Sequence, residues 1–311
     1  MKRAIAFLLT AILAFGVCAV CFASYAKLPD PVYQWSSETG GAAGLLVAEA
    51  DNGAVLYERN SSMEAKPGSL TVLMSALLLA EDTVEEEWDT PLDPLKSVNS
   101  TWSARAAQMG LKEGDTPTRR DLLYGMLLKG GADAAFTAAK LISGGETVFV
   151  EKMNEKAASL GMSGTRFENS CGLSSGMHYS NAHDMLILAA ECMKHEEICE
   201  AFSSPAYACS GGVRGIELVN SNTAIGIEGC IGMKLGSDGG MENSLILLYE
   251  RDGIKIITVL LEAASQQSAY SVSRELANEA FDHVANELGG REAVPTYAVC
   301  RTEKAISLYK E

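Results

Sequence analysis

The segment Lys66-Pro67-Gly68-Ser69-Leu70-Thr71-Val72-Leu73-Met74 carries the most information about the fold. Its serine follows a proline and a glycine and opens an apolar stretch that runs to Ala80. Serine is common at the start of helices, and an uncharged apolar stretch of this length favours a buried helix. We therefore predict a buried helix over residues 69–80, with Ser69 as its N-cap.

Two hairpin signals lie on either side of this segment. Asp51-Asn52-Gly53 separates apolar runs at 43–49 and 54–57, and Arg251-Asp252-Gly253 separates runs at 244–250 and 254–262. Asn-Gly and Asp-Gly are strong signals for a β-hairpin. Strands at both ends with helices between them predict an antiparallel sheet with helices packed against it. The predicted helices cover residues 121–129, 132–142, 146–160, 181–193 (capped by Ser180) and 265–288, and a last strand is predicted near 297–308.

The chain begins with a segment typical of exported proteins. Lys2 and Arg3 precede an uncharged apolar run over 4–23, and Ser24-Tyr25-Ala26 suits signal peptidase. The run is also long enough to span a bilayer uncleaved, so a signal peptide in 1–26 and an N-terminal membrane anchor both remain open. Either alternative predicts an extracytoplasmic location, in the cell envelope or secreted. We expect a linker over 27–41, one domain over 42–311, and membrane contact only through the N-terminal segment.

Charge and cysteine usage narrow the choice of partners. The formal net charge of −15 argues against nucleic acid and against a polybasic membrane contact. The cysteines after residue 26 are widely spaced and lack a CxxC pair, so disulfides and buried thiols both remain open. No His/Cys cluster has zinc spacing, and we predict no metal and no cofactor. These six cysteines are Cys171, Cys192, Cys199, Cys209, Cys230 and Cys300.

Several segments, in order along the chain, resemble the serine-type D-alanyl-D-alanine carboxypeptidases, the low-molecular-mass penicillin-binding proteins. The resemblance covers residues 40–285 and rests on the whole ordered set, since no single piece is diagnostic. It implies a β-lactamase/DD-peptidase-like α/β (α+β) fold, with a five-stranded antiparallel sheet flanked by helices, a helical subdomain and a cell-wall location. We expect the family's extra C-terminal β-domain to be absent. The segments are 66–74, 110–115, 121–124, 133–135, 149–169, 172–173, 178–180, Asp184, 220–222 and 234–236.

Members of this family cleave a terminal D-Ala through an acyl-serine intermediate and carry the motifs S-x-x-K, S-D-N and K-T-G. In the first motif, the lysine lies one helical turn after the serine and accepts its proton. Ser69 holds the serine position, but Val72 holds the lysine position and cannot accept a proton. Two literal S-x-x-K strings, Ser24–Lys27 and Ser307–Lys310, do not open a buried helix and are not candidates.

The other two motifs are also altered. Gly130-Gly131-Ala132 takes the place of the second motif, so that Gly130 replaces its serine and Ala132 replaces its asparagine. The third motif, which the family places on an inner strand, is Lys234-Leu235-Gly236. Lys234 and Gly236 are retained as substrate-binding candidates, whereas the side chain of Leu235 cannot hydrogen-bond a carboxylate. Lys234 is either an anion-binding residue or an ordinary strand lysine.

These replacements predict a member of the family that has kept the scaffold and lost the chemistry. The first hypothesis is a non-catalytic binding or regulatory protein whose partner is a peptidoglycan stem peptide or a cell-wall protein. The alternative is an active serine carboxypeptidase with a relocated general base, Lys66 or Lys129, although Lys129 also suits a solvated helix end. A purely structural protein is the third hypothesis. His178 and His183 are expected to be structural.

Overall fold

The computed structural model describes residues 41–96, 98, 106–173, 176–213, 215–236 and 243–288, with side chains of the last range described to residue 286. The N-terminal apolar segment, nearly all of the expected linker and the strand predicted near 297–308 lie outside these residues.

Five antiparallel strands form the main sheet, in the order β2-β1-β7-β6-β5. The two predicted hairpins are β1–β2 and β6–β7, and in the second turn Asp252 and Gly253 both have the positive φ that a tight hairpin needs. Two short strands, β3 and β4, form a separate ribbon. The bounds are β1 Gly44–Glu49, β2 Val55–Arg59, β3 Ala206–Ala208, β4 Glu217–Val219, β5 Cys230–Gly236, β6 Asn243–Arg251 and β7 Ile254–Ala263.

Within the described residues, six helices lie on one side of the sheet, and a seventh covers the other face. A 3-10 turn, Gly68–Thr71, leads into α1, and a second one spans Glu85–Glu87. No helix in the described part of the chain is long and apolar enough to cross a membrane. The helices are α1 Val72–Asp82, α2 Arg119–Lys129, α3 Ala132–Ser143, α4 Glu146–Ser159, α5 Ala182–Cys192, α6 Glu196–Ser203 and α7 Gln266–Leu288.

Local capping explains where the helices differ from the prediction. Helix α2 begins two residues earlier than expected because Thr118 and Asp121 form a capping box, each side chain bonding the other's backbone N–H. The N-cap of α5 is Asn181, whose side chain accepts a hydrogen bond from the Asp184 N–H, so the prediction of Ser180 was wrong. Helix α6 was not predicted, because its eight residues give too short a periodic pattern.

The sheet is buried on both faces, and this accounts for its continuous apolar strands. Along β1, Leu46 packs with the six-helix side, and Leu45 packs with the α7 side. Strand β6 alternates in the same way at Ile246 and Leu247. Since neighbouring residues of a strand face opposite sides, a doubly covered sheet needs apolar residues at nearly every position.

The described cysteines include both of the states left open by the sequence. Cys199 is disulfide-bonded. Thiols are found at Cys171, Cys192, Cys209 and Cys230. Burial raises the pKa of Cys230 to about 11, so this thiol is a poor nucleophile at neutral pH.

Candidate functional site

Ser69 lies in the 3-10 turn before α1 and faces strand β5. Its side chain is half-buried, and its hydroxyl donates a 3.3 Å hydrogen bond to the backbone oxygen of Leu235. Pro67 caps the turn, Thr71 caps α1, and neither position has a side-chain capping bond. The prediction that Ser69 is a helix N-cap was therefore wrong, since its hydroxyl faces the sheet edge.

Val72 follows one turn later and is part of the core. Its side chain is 0% exposed and packs with the apolar residues that lie between the sheet and the helices. A lysine here would have to bring an ammonium group into this packing, which is unfavourable without a partner. Helix α1 thus supplies Ser69 with an apolar neighbour at the position where the family's motif has an amine.

Gly130 ends α2 directly beside Ser69. It has a left-handed backbone (φ 68°), and its N–H closes the helix onto Met126. A Cβ built on Gly130 would lie 3.2 Å from the Ser69 Oγ and 3.4 Å from the Lys234 Nζ. The position expected for the second motif's serine therefore does adjoin both groups, and it bears no side chain.

Ala132 begins α3, two residues further along. Its methyl group is 1% exposed, and its N–H donates a 2.8 Å hydrogen bond to the Ala107 oxygen. An alanine at this point cannot orient a substrate amide. Both side-chain functions of the second motif are thus missing from the loop between α2 and α3.

Lys234 lies on β5 and is 2% exposed. Its amine donates a 2.6 Å hydrogen bond to the Leu235 oxygen, and among the described residues no carboxylate pairs with it. Burial disfavours the charged form and lowers the pKa of Lys234 to about 7. The amine of Lys234 is therefore partly neutral at physiological pH. Strand β5, which carries this lysine, is the edge strand, so the expectation of an inner strand was wrong.

The backbone oxygen of Leu235 joins Ser69 to Lys234. It accepts from the Ser69 hydroxyl at 3.3 Å and from the Lys234 amine at 2.6 Å. The side chain of Leu235 packs with the core under α7 and takes no part in this contact. The shared acceptor is thus a main-chain atom of Leu235, whereas the prediction from the sequence concerned only the side chain of this residue.

Gly236 allows the 3-10 turn to approach the strand. A Cβ built on this residue would lie 2.7 Å from the Leu70 Cγ and 2.8 Å from the Pro67 oxygen. Contacts under 3.0 Å to backbone would force the turn away, so glycine is needed here for packing. Gly236, a substrate-binding candidate from the sequence, thus has the protein's own turn packed against it.

His178 contacts the 3-10 turn that carries Ser69. It is 3% exposed, its Nδ1 accepts from the Glu168 N–H at 3.0 Å, and its Nε2 lies 2.8 Å from the Thr71 hydroxyl. Because Nδ1 accepts, Nε2 carries the proton and donates to Thr71. His183 lies at the start of α5, where the Asp184 carboxylate raises the pKa of its imidazole. Both histidines have structural partners, as expected.

A loop that the sequence did not assign to the site packs against the turn that carries Ser69. The Asn169 carboxamide oxygen accepts the N–H groups of Gly172 and Leu173 at 2.7 Å and 3.0 Å. Gly172 has φ 88°, and a Cβ there would overlap the Gly68 oxygen. The signal available was Asn169 followed three residues later by glycine, a common turn pattern.

Lys66 and Lys129, the bases proposed as replacements, are both exposed. The backbone N–H of Lys66 donates to the Glu262 carboxylate at 2.8 Å, and Lys129 is the last residue of α2. Within the described ranges, no group of three or more His, Cys, Asp or Glu residues could hold a metal ion. The site therefore consists of one hydroxyl, one buried amine and a shared main-chain acceptor.

Comparison with known families and proteins points to a single family. A family model described as D-alanyl-D-alanine carboxypeptidase matches residues 34–265. The chain is 30% identical over 283 residues to D-alanyl-D-alanine carboxypeptidase DacF of Bacillus subtilis, covering 90% of this chain and 71% of that protein. It is also 26% identical over 270 residues to the carboxypeptidase of a Streptomyces species (strain K15), covering 81% and 91%.

Solved structures agree with the sequence comparisons. The Streptomyces K15 DD-transpeptidase superposes with a TM-score of 0.72 at 27% identity, covering 78% of this chain and 97% of that one. Penicillin-binding protein 6B of Escherichia coli superposes with a TM-score of 0.70 at 26% identity, covering 81% and 80%. The predicted five-stranded antiparallel sheet with helices is confirmed by both the structure and these neighbours.

Proposed function

Because the chain belongs to the D-alanyl-D-alanine carboxypeptidase family, we propose that it acts at the cell wall as a non-catalytic binding or regulatory protein. The observation that carries the proposal is the surroundings of Ser69. The residue one helical turn after Ser69 is Val72, which is fully buried. The residue that ends α2 and adjoins Ser69 is Gly130, which has no side chain. The hydroxyl thus lacks the groups that the family uses to move its proton.

The expected loss of rate is large. Removal of one positioned acid or base costs roughly two to four decades in rate. Losses within one catalytic unit are not additive, but together they can reach about six decades. Four motif positions have lost their chemical group here, at Val72, Gly130, Ala132 and Leu235. Ordinary turnover of a D-Ala-D-Ala peptide is therefore not expected.

Lys234 indicates which chemical group the proposed ligand carries. A buried amine without a carboxylate partner attracts an anionic group that can reach it, and the family's substrates end in a carboxylate. We propose that the partner is a peptidoglycan stem peptide or a cell-wall protein, bound beside Ser69 and Lys234. The apolar N-terminal segment of residues 4–23 supports export, by a cleaved signal or by an anchor.

The test is covalent labelling with a fluorescent penicillin, read by gel and by intact mass. We expect no label at saturating drug on the folded protein. Val72→Lys tests whether restoring the first motif's amine is sufficient to recover labelling, with Ser69→Ala as the control. A stable label on the native protein that Ser69→Ala abolishes would overturn the non-catalytic proposal.

A second function rests on a different observation, the closeness of Ser69 and Lys234. Their side chains share the Leu235 oxygen as acceptor, and the amine of Lys234 is partly neutral near pH 7. A neutral amine within reach of a serine hydroxyl is a general base. In this alternative, the protein is a slow serine carboxypeptidase whose relocated base is Lys234, since Lys66 and Lys129 are exposed.

This alternative makes its own prediction. The release of D-Ala from a pentapeptide would rise with pH through about 7, as Lys234 loses its proton. Lys234→Met and Ser69→Ala would each abolish it, whereas Lys129→Met would not. No release above the Ser69→Ala background at any pH would eliminate this second function and leave the first.

A further inference from the structure

A cavity lies on the α7 side of the molecule and shares no lining residue with the site around Ser69. Its volume is about 460 Å³, within the range of roughly 300–1,000 Å³ common for small-molecule sites. It is bounded by the first turns of α7, by Tyr249 of β6, and by the loop before β5. The residues that decide its chemistry are Thr223, Ile227, Gln266, Gln267, Tyr270 and Arg274.

The wall of this cavity is nearly neutral. Arg274 is its one charged lining residue, and the guanidinium lies 3.4 Å from the Glu228 carboxylate. The lining contains no carboxylate that would bind a cation. A strongly charged ligand of either sign is therefore disfavoured.

The remaining lining residues combine amide and hydroxyl groups with apolar surface. Thr223, Gln266 and Gln267 are exposed and can both donate and accept hydrogen bonds. Tyr270 is half-buried, and its hydroxyl donates to the carboxamide oxygen of Asn222 at 3.2 Å, which fixes the ring in the wall. Ile227 is 53% exposed and adds an aliphatic surface to the lining.

We propose that this cavity binds an uncharged N-acetylated amino sugar of a glycan chain. The hydroxyl groups of such a sugar pair with amide and hydroxyl side chains, its C–H face packs on an aromatic ring, and its acetyl methyl group fits against an aliphatic residue. Ligand sites of this kind have an apolar wall with a few placed polar groups. The choice of a wall glycan as the source rests on the proposed wall-binding function.

The experiment is a calorimetric titration of the full protein with the tetramer of N-acetylglucosamine. We expect a dissociation constant in the micromolar to millimolar range. Gln267→Ala and Ile227→Asp should each weaken it at least tenfold, since one removes a hydrogen-bonding amide and the other puts a charge against the methyl group. Both positions are exposed, so folding should be retained, as circular dichroism would verify.

Three outcomes of these titrations would contradict binding of an N-acetylated sugar in this cavity. No heat with the tetramer, or binding unchanged in both variants, would overturn the proposal. Tighter binding of an uncharged peptide than of the sugar would also overturn it.

Comparison of the tetramer with isolated wall glycan distinguishes a general sugar site from one selective for the wall. Lys234→Met should leave the titration unchanged, and penicillin labelling of Ser69 would refute the non-catalytic proposal without affecting this one.

Discussion

Lys234 is held where its charge is costly. A lysine in water has a pKa of about 10.4. Burial of this side chain, without a paired carboxylate among the described residues, lowers the pKa of Lys234 to about 7. Between these two values the unfolded chain binds a proton that the folded chain does not. Folding stability must therefore rise with pH over that interval.

Replacement of Lys234 by methionine should remove this dependence. From pH 7 to pH 9, we expect the native protein to gain roughly 2 kcal/mol more unfolding free energy than Lys234→Met, since each pKa unit corresponds to about 1.4 kcal/mol. Urea unfolding at several pH values measures the difference. Lys129→Met, which changes an exposed lysine, should keep the native slope. A native slope in Lys234→Met would contradict the pKa assignment.

Gly130 combines a left-handed backbone with close contact to Ser69. Gly130→Ser should destabilise the protein by more than the roughly 1–2 kcal/mol of a left-handed backbone, because its Cβ would also crowd Ser69. Gly144→Ser is a matched control, since Gly144 ends α3 with φ 74° and has nothing within 4 Å of its Cβ. Thermal unfolding compares the two variants. Equal losses would mean that the contact with Ser69 is unimportant.

At the level of elements, helix α3 holds residues 109–111 in place. This segment precedes α2 and lies near the site. Asp133, in the first turn of α3, is 2% exposed. One carboxylate oxygen accepts the N–H of Met109 and the other accepts those of Gly110 and Leu111, all at 2.8–2.9 Å. A carboxylate suits this place because both of its oxygens are acceptors.

Asp133→Asn should lower the unfolding free energy by about 1–3 kcal/mol, because the amide turns one acceptor into a donor that faces backbone N–H groups. Chemical denaturation gives the difference. Asp282→Asn makes the same chemical change at an exposed position of α7 and should fall within about 0.5 kcal/mol of the native protein. An equally small loss at Asp133 would show that water replaces the lost acceptor.

Elements with strong local signals could be predicted from the sequence, and those without could not. The hairpins at Asp51–Gly53 and Arg251–Gly253 follow from turn chemistry, and α4 follows from its periodic apolar residues. Helix α6 and the β3–β4 ribbon are too short to show a period. The edge position of β5 depends on pairing across the sheet, which no local pattern encodes.

The candidate site was predictable in its positions and not in its contacts. Motif order placed Ser69, Gly130 and Lys234 together, and in the structure Ser69 and Lys234 both lie within 3.4 Å of the position that a Cβ on Gly130 would take. The shared acceptor could not be predicted, because it is the main-chain oxygen of Leu235 and does not depend on the side chain there. The N-cap expectation for Ser69 was wrong because it considered only the helix and not the strand opposite.

At the scale of the molecule, one sheet lies between two cores. The larger core lies under the six helices, and the smaller lies under α7. Residues of the same strands enter both, so loss of one core exposes a face of the sheet that supports the other. We expect the described domain to unfold as one cooperative unit.

Phe281→Ala tests this cooperativity. Phe281 is 3% exposed in the α7 core, and its truncation should cost about 3–5 kcal/mol. The unfolding midpoint should fall equally for helix content and for the fluorescence of Trp88, which lies in the other core, with Trp35 and Trp102 replaced by phenylalanine. Val148→Ala, at an exposed position, should shift neither. Separate transitions for the two signals would contradict a single unit.

The left-handed turn at Gly130 also bears on how the protein could be redesigned. A serine placed there would need either a strained backbone or a rebuilt loop between α2 and α3, and its Cβ would lie 3.2 Å from the Ser69 Oγ. Building a reactive serine site on this scaffold would therefore take coordinated changes to the loop and to Val72, rather than a series of independent single substitutions.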